Sequence, residues 1–549
     1  MTRTTRGYAL LAVLGVLLLA AVVHADDSVV NTSNGPVRGI VASTYRVFKG
    51  IPYAEPPVGP LRWRDPLPHR GWAPSTLNAT EFGPGCPQRC VLPPHMCPQS
   101  ESEDCLTLNI WTPRGASSSP RSVMFFMPGG RFEQGDSTSP LYSGEYFTTN
   151  LDVILVTTNY RLGVLGHLVT DEYAGNFAIK DQRMALVWLK KNIAAFGGNP
   201  NDVTIFGQSA GASSTAVHLL SPYSRGLFSK AIMESNPFAL PMKTVQEGRD
   251  LGRKFVEYLH CPWNHETTDA CLRSKSVNEV MAGQYGVQGS IDYFHPLLLF
   301  LPWTPIAVHE PMSLISTTSS VDGKELTDQP WKLFTAGNFT KVPIMMGTVA
   351  EEALFFIYEA SNGTKVSESL YVLLESYLFQ LDVVEVLRKY PVGGIWDDSD
   401  YRPLLSTQGT DYIFVCPTRL SARGVAKTGV PTFLYQFNHV PSFDAWGKYT
   451  FCDGHVCHGI ELPFVFHAAA PFYNFTAAED DLSKRMSTYW TNFAKSGNPN
   501  HPLPVQPAWP AYTASADASM ELATPPTVQT GLRASYCDFW DRLGYSHGV

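Results

Sequence analysis

The stretch Val203-Thr204-Ile205-Phe206-Gly207-Gln208-Ser209-Ala210-Gly211 carries the clearest chemistry in the chain. A β-branched, apolar run leads directly into Gly-x-Ser-x-Gly, the pattern of a strand turning sharply into a helix with a serine at the apex. Such a turn is strained and crowded, so small residues are needed on both sides, and Gly207 and Gly211 meet that need. The Ser209 hydroxyl is expected above the sheet, with the first N–H groups of the helix facing any developing negative charge. Nucleophilic catalysis is the chemistry implied. An ordinary strand-to-helix turn is the competing reading, since so short a motif also arises by chance. Cys452, His455, Cys457 and His458 form a second cluster, of types that ligate metals. Its spacing matches neither a zinc nor a haem signature, and an oxidising compartment would favour a disulfide between the cysteines. His218, on the helix after Ser209, reads as packed or solvated rather than functional.

The elements that must position these residues alternate. Short apolar runs at 153–158 and 203–206 are followed by helical patterns at 181–193 and 210–220; farther on come 342–346, 367–378 and 431–437. Buried strands separated by helices predict an α/β fold, with a mixed sheet covered on both faces. At 549 residues the chain could hold three or four domains, yet no linker, repeat or charge block divides it. The most breakable stretch, 115–120, lies between the apolar runs 106–111 and 122–127 and reads as a hairpin or loop. One large domain over 26–549 is expected.

Residues 1–25 read as a secretory leader, with Arg3 and Arg6 at its start, an apolar core over 8–23 and a small-residue end at 23–25. A membrane anchor is the alternative, but the run is short of the roughly 20 residues a span needs. Export agrees with ten cysteines spread through a large chain, and with sequons at Asn31, Asn78, Asn338, Asn362 and Asn474. The formal net charge is −8, and losing Arg3 and Arg6 makes the mature chain more acidic by two. Nothing basic clusters, which argues against a nucleic-acid partner. The 44% hydrophobic content is ample for a core.

Several longer stretches then converge on one family. FKGIPYAEPPVGPLRWRDP (48–66), SEDCLTLNIWTP (102–113), NYRLGVLGHL (159–168), NFAIKDQRMALVWLKKNIAAFGGNPNDVTIFGQSAGA (176–212) and CHGIELPFVF (457–466) resemble the type-B carboxylesterases, the cholinesterase-like branch of the α/β-hydrolase fold. The likeness runs from about residue 35 to 540. It implies a large, mostly parallel central sheet with helices on both faces. It also implies a triad of Ser209 as nucleophile, His458 as base and Glu352 as the acid that orients it, in the chain order this fold uses. Glu351 is adjacent, and alternation along the chain is expected to turn the two carboxylates apart.

These roles imply acyl transfer through a covalent intermediate. His458 takes the Ser209 proton during attack and returns it to the leaving alcohol, while Glu352 holds the imidazole in the right tautomer. No metal and no organic cofactor is needed, and the partner implied is a small-molecule carboxylic ester. The rate is expected to rise through a pKa of about 6–7, as for a catalytic imidazole.

The chain departs from the family pattern at the oxyanion hole. Where three glycines and an aromatic residue are usual, it has Met127-Pro128-Gly129-Gly130-Arg131-Phe132. The resemblance makes the N–H groups of Gly130, Arg131 and Ala210 the donors. If the site needs positive φ, a non-glycine residue there costs on the order of 1 kcal/mol. The Arg131 side chain either swings out to solvent or lines the site and selects acidic acyl groups. Gln208 stands where a glutamate is common, Ala353 where a glycine usually follows the acid, and the loop from Cys86 to Cys105 lacks the tryptophan that grips choline. Choline esters are therefore not expected.

The resemblance further implies disulfides Cys86–Cys105, Cys261–Cys271 and Cys416–Cys537. The four cysteines left over pair as Cys90–Cys97 and Cys452–Cys457. Arg62 with Glu103, and Arg161 with Asp181, fall on buried ion-pair positions, where loss of one partner is costly. The stretch 291–305, rich in Leu, Phe, Trp and Pro, either walls the active-site gorge or is plain core. The rival to an esterase is a secreted adhesion, storage or structural protein on the same fold that has lost catalysis. An intact triad argues against it, and the altered 128–131 segment argues for it.

Overall fold

A computed structural model describes residues 27–547, except 116, 265, 289–296, 298–300, 308–324, 394–399 and 470–471. The leader and most of 291–305 thus lie outside the described residues. Among the described residues, fourteen strands form two sheets. A small one joins β1 (Val29–Thr32), β2 (Gly35–Arg38) and β5 (Leu77–Asn78). The first half of the large sheet holds β3 (Ile40–Val41), β4 (Tyr45–Pro52), β6 (Thr107–Pro113), β7 (Arg121–Met127), β8 (Ile154–Thr158) and β9 (Gly198–Gln208). Its second half holds β10 (Lys230–Glu234), β11 (Ile344–Val349), β12 (Thr432–Phe437), β13 (Ala518–Leu522) and β14 (Thr527–Thr530).

The order across the large sheet is β14-β13-β12-β11-β10-β9-β7-β8-β6-β4-β3. Every pairing from β8 to β13 is parallel, and the strands at either edge run antiparallel. Strands β6 and β7 are therefore no hairpin, because β8 lies between them in the sheet. Neighbouring side chains of one strand enter different cores. Phe125 and Ile205 pack on one face, and Phe126 and Phe206 on the other, as the two-residue period of a pleated strand requires. Both faces are thus covered, in agreement with the mixed sheet read from the apolar runs, and the mostly parallel order is the one the family resemblance implies.

The helix Ala210–Leu220 sits against β9 and is buried from Ala210 through Leu219. Its small residues permit that close approach, and its hydroxyls are satisfied locally. Ser214 donates to Ala210 O at 3.0 Å and Thr215 to Gly211 O at 3.0 Å. His218 is packed among Ser224 and Gln182, and burial lowers its pKa to about 3.

The ten cysteines form five disulfides: Cys86–Cys105, Cys90–Cys97, Cys261–Cys271, Cys416–Cys537 and Cys452–Cys457. The fourth spans 121 residues and clips the helix Cys416–Lys427 to the C-terminal helix Ala534–Leu543. Arg62 makes a two-pronged pair with Glu103, both contacts at 2.6 Å. Arg161 does the same with buried Asp181 at 2.7 Å. All five sequon asparagines are exposed. Among the described residues no helix is long and apolar enough to cross a membrane.

Candidate active site

Strand β9 ends at Gln208, and Ser209 follows with φ 57° and ψ −122° as the residue before the helix. The reason for glycine on either side is direct. A Cβ on Gly211 would lie 1.9 Å from Met127 O, and one on Gly207 would lie 2.5 Å from the Gly211 carbonyl carbon. The elbow is held from below, where Ser209 N–H donates to Glu234 O at 2.9 Å. Ser209 is itself 8% exposed, so its hydroxyl sits at the floor of a cavity rather than on the surface.

His458 reaches this floor on a loop after β12. The Cys452–Cys457 disulfide tightens that loop immediately before it, so the cysteines are bonded to each other. Glu351 pins the same loop from the acid side. Its N–H donates to Val456 O at 3.2 Å, and its carboxylate accepts Val456 N–H at 2.7 Å and pairs with His455 Nδ1 at 2.8 Å. Glu352 points the other way and is fully buried. Its Oε1 accepts Val349 N–H at 2.8 Å, and its Oε2 meets His458 Nδ1 at 2.5 Å. One backbone step separates a half-exposed loop clamp from a buried partner of the imidazole.

With Nδ1–H given to Glu352, the other ring nitrogen of His458 is left as an acceptor. That nitrogen lies 3.1 Å from the Gln208 side-chain nitrogen, which donates to it. The ring is flanked by Phe356 and Phe414, at 5.0 and 5.3 Å between centroids. Gln208 is thus a near neighbour of the imidazole as well as of Ser209. Its replacement of a glutamate was visible in the sequence, but its contact with a residue 250 positions away was not.

Two more carboxyls lie beneath. Glu234 accepts the Trp490 indole N–H at 2.6 Å, and Glu461 accepts the Ser235 hydroxyl at 3.4 Å. Burial pushes Glu234 up to about 8, while burial and then the Glu352 and Glu234 charges push Glu461 well up. In both, burial is the main cause, and it favours the uncharged carboxyl.

The turn after β7 faces Ser209. Gly130 has φ 117°, Arg131 φ 60° and Phe132 φ 59°. Glu133 and Gln134 N–H both donate to Gly130 O, at 3.1 and 3.0 Å, which leaves the N–H groups of Gly130 and Arg131 outside the turn's own bonding. Arg131 does not swing out to solvent. Its side chain lines the cavity, about a third exposed, with Nη1 3.6 Å from Glu359 Oε2. Glu359 thus faces one end of the guanidinium, while the buried Arg131 Nε has no hydrogen-bond partner among the described residues.

Gly130, Arg131, Ser209 and His458 share the wall of one cavity. Its mouth carries Leu92, Pro93 and Met96 from the Cys86–Cys105 loop, with Phe355, Trp446 and Tyr473 opposite. Those three aromatic residues had no signal in the sequence beyond their type. Of the 291–305 stretch, Leu301 lies beside Ser209 in a second cavity, while Trp303 packs into a separate core. No group of three or more His, Cys, Asp or Glu among the described residues is arranged to hold a metal ion.

Residues 26–540 match the carboxylesterase family. The chain is 36% identical over 530 residues to the crystal protein of Dictyostelium discoideum, covering 95% of this chain and 92% of that one. It is 36% identical over 516 residues to the cAMP-regulated D2 protein of the same organism, covering 92% and 90%. It is 34% identical over 556 residues to the acetylcholinesterase of Bungarus fasciatus, covering 95% and 87%.

Proposed function

Because the chain belongs to the carboxylesterase family, with its α/β-hydrolase fold, we propose that it is an exported serine hydrolase of carboxylic esters working through an acyl-enzyme on Ser209. The observation that carries this reading is the bond from His458 Nδ1 to buried Glu352 at the wall that Ser209 shares; with its proton on Nδ1 the imidazole is free to accept at its far nitrogen. A base must offer that tautomer, and a carboxylate behind it stabilises the imidazolium that forms.

Ser209 Oγ attacks the ester carbonyl carbon and its proton passes to His458 Nε2. The carbonyl oxygen becomes an oxyanion among the N–H groups of Gly130, Arg131 and Ala210, the last at a helix start where N–H groups have no intrahelical acceptor. When the tetrahedral centre collapses, the C–O bond to the alcohol breaks and His458 returns the proton to the departing oxygen. Water then repeats the sequence on the acyl-enzyme and frees the acid and Ser209. For His458 to serve Ser209, the Gln208 amide must yield its place at Nε2 when substrate enters, as catalytic contacts often tighten only in the complex. Export is supported by the five disulfides, which persist in oxidising compartments, and the exposed sequons are available to glycans.

One observation favours the second reading, a silent scaffold with an adhesive, storage or structural role: Nε2 is occupied by Gln208 in the resting protein. Hydrolysis of p-nitrophenyl acetate by purified protein and by Ser209→Ala separates the two. The expected result is turnover lost in the variant and a single organophosphonate adduct, mapped to Ser209. Equal rates in both proteins, or no adduct, would favour the scaffold.

A further inference from the structure

Resting on that hydrolase reading, we propose that the acyl half of the substrate lies in an apolar channel running from Ser209 past Ile357, Gly409 and Ile413 toward Glu375, so that the protein prefers esters of long, unbranched acids. Two cavities meet at Ser209, and only the mouth cavity contains His458. The leaving oxygen must lie beside His458 to collect its proton, so the alcohol occupies the mouth. The acyl group is then directed into the second cavity, whose walls include Pro237, Leu240, Leu301, Phe356 and Phe414.

A third cavity adjoins the second, and Ile357, Gly409 and Ile413 line both. Gly409 stands at this junction, where a Cβ would lie 2.8 Å from the Cβ of Ala353. The wall is formed in part by a π-helical turn, Thr410–Val415, a rare geometry that recurs at functional sites. It turns Phe414 toward Ser209, Tyr412 toward the far chamber and Ile413 to both. Leu378, Phe379 and Leu405 continue the apolar lining. The far chamber ends on Glu375, whose Oε2 accepts the Gln408 amide at 2.6 Å while Oε1 has no partner. Burial raises the Glu375 pKa to about 7, and its neutral form is compatible with an alkyl neighbour.

The test is the chain-length profile of kcat/KM for p-nitrophenyl acetate, butyrate, octanoate and decanoate, held below their aggregation limits. Each buried CH₂ is worth a factor of about four, so the decanoate-to-acetate ratio is expected to be on the order of tenfold or more. Leu405→Trp, which fills only the far chamber, is expected to cut that ratio about tenfold; Leu378→Trp repeats the test should the first variant misfold, as judged by its thermal melt. A profile that peaks at acetate or butyrate would overturn the channel, as would both folded variants keeping the wild-type ratio. Labelling of Ser209 by a methylphosphonate in the same preparation tells the two levels apart. A labelled serine with a short-chain optimum sinks the channel alone, whereas an unlabelled serine sinks the hydrolase reading and the channel with it.

Discussion

The two turns that meet at Ser209 obey different rules. At the elbow, Gly207 and Gly211 are required because backbone approaches backbone, with Met127 O 1.9 Å from where a Gly211 Cβ would stand. At the facing turn, Arg131 and Phe132 hold positive φ although neither is glycine. Phe132 is fully buried, with its ring 5.3 Å from that of His167, and Arg131 is paired with Glu359. A left-handed dihedral on a side-chain-bearing residue costs about 1–2 kcal/mol, which packing of this kind can offset. A collision of backbone atoms has no such remedy. Space is the stricter constraint, and conformation can be bargained with.

The largest effect expected from breaking this contrast is at the elbow. Gly211→Ala should cut ester turnover at least about 100-fold and destabilise the protein by about 3 kcal/mol; near-normal activity with an unchanged urea midpoint would show that the turn relaxes. Next is the floor beneath it. The native pKa of Glu234, about 8, lies above its unfolded value, so the folded state binds the extra proton and stability falls as pH rises from roughly 4.5 to 8. Glu234→Gln keeps the acceptor for Trp490 and removes that titration. Its gain in unfolding free energy should be small at pH 4.5 and on the order of 5 kcal/mol at most by pH 8, and a gain independent of pH would rule out Glu234 as the source. Gln208→Glu should move the acid limb of the rate profile upward by about 1 pH unit, because a carboxylate beside the ring favours the imidazolium. An unmoved limb would mean that Gln208 has left the imidazole in the working enzyme. The smallest effect belongs to the tolerant turn: Arg131→Gly relieves the dihedral and loses a half-exposed ion pair, so stability should change by less than about 1 kcal/mol. A turnover loss well beyond threefold would give the guanidinium a part in the chemistry.

Much of the fold was legible because alternating apolar runs are enforced by a sheet buried on both faces. The boundaries were less so. β9 begins at Gly198 rather than at 203, since its polar start, Gly198-Asn199-Pro200-Asn201-Asp202, carries no apolar signal and is drawn in near Arg121 of β7. The helix read over 181–193 begins earlier, at Phe177, after an Asn176 that makes no side-chain capping bond. The crossing of β8 between β6 and β7 was invisible, as strand order is set by packing and not by adjacency. At the site, the Gly-Ser-Gly spacing declared itself because it answers a local steric demand. Gln208 against His458, Arg131 against Glu359 and the junction at Gly409 depend on segments brought together only in three dimensions.

The bridge from Cys416 to Cys537 encloses the whole segment that carries His458. A protease that nicks the chain once inside this closed loop leaves both fragments tethered, and the break would show on a gel only after reductant is added. A nick between 210 and 415, outside the short Cys261–Cys271 loop, has no such tether, and the parts bearing nucleophile and base would be held together by packing alone. The molecule's resistance to cleavage is thus expected to be lopsided, with the segment between Cys416 and Cys537 the forgiving side.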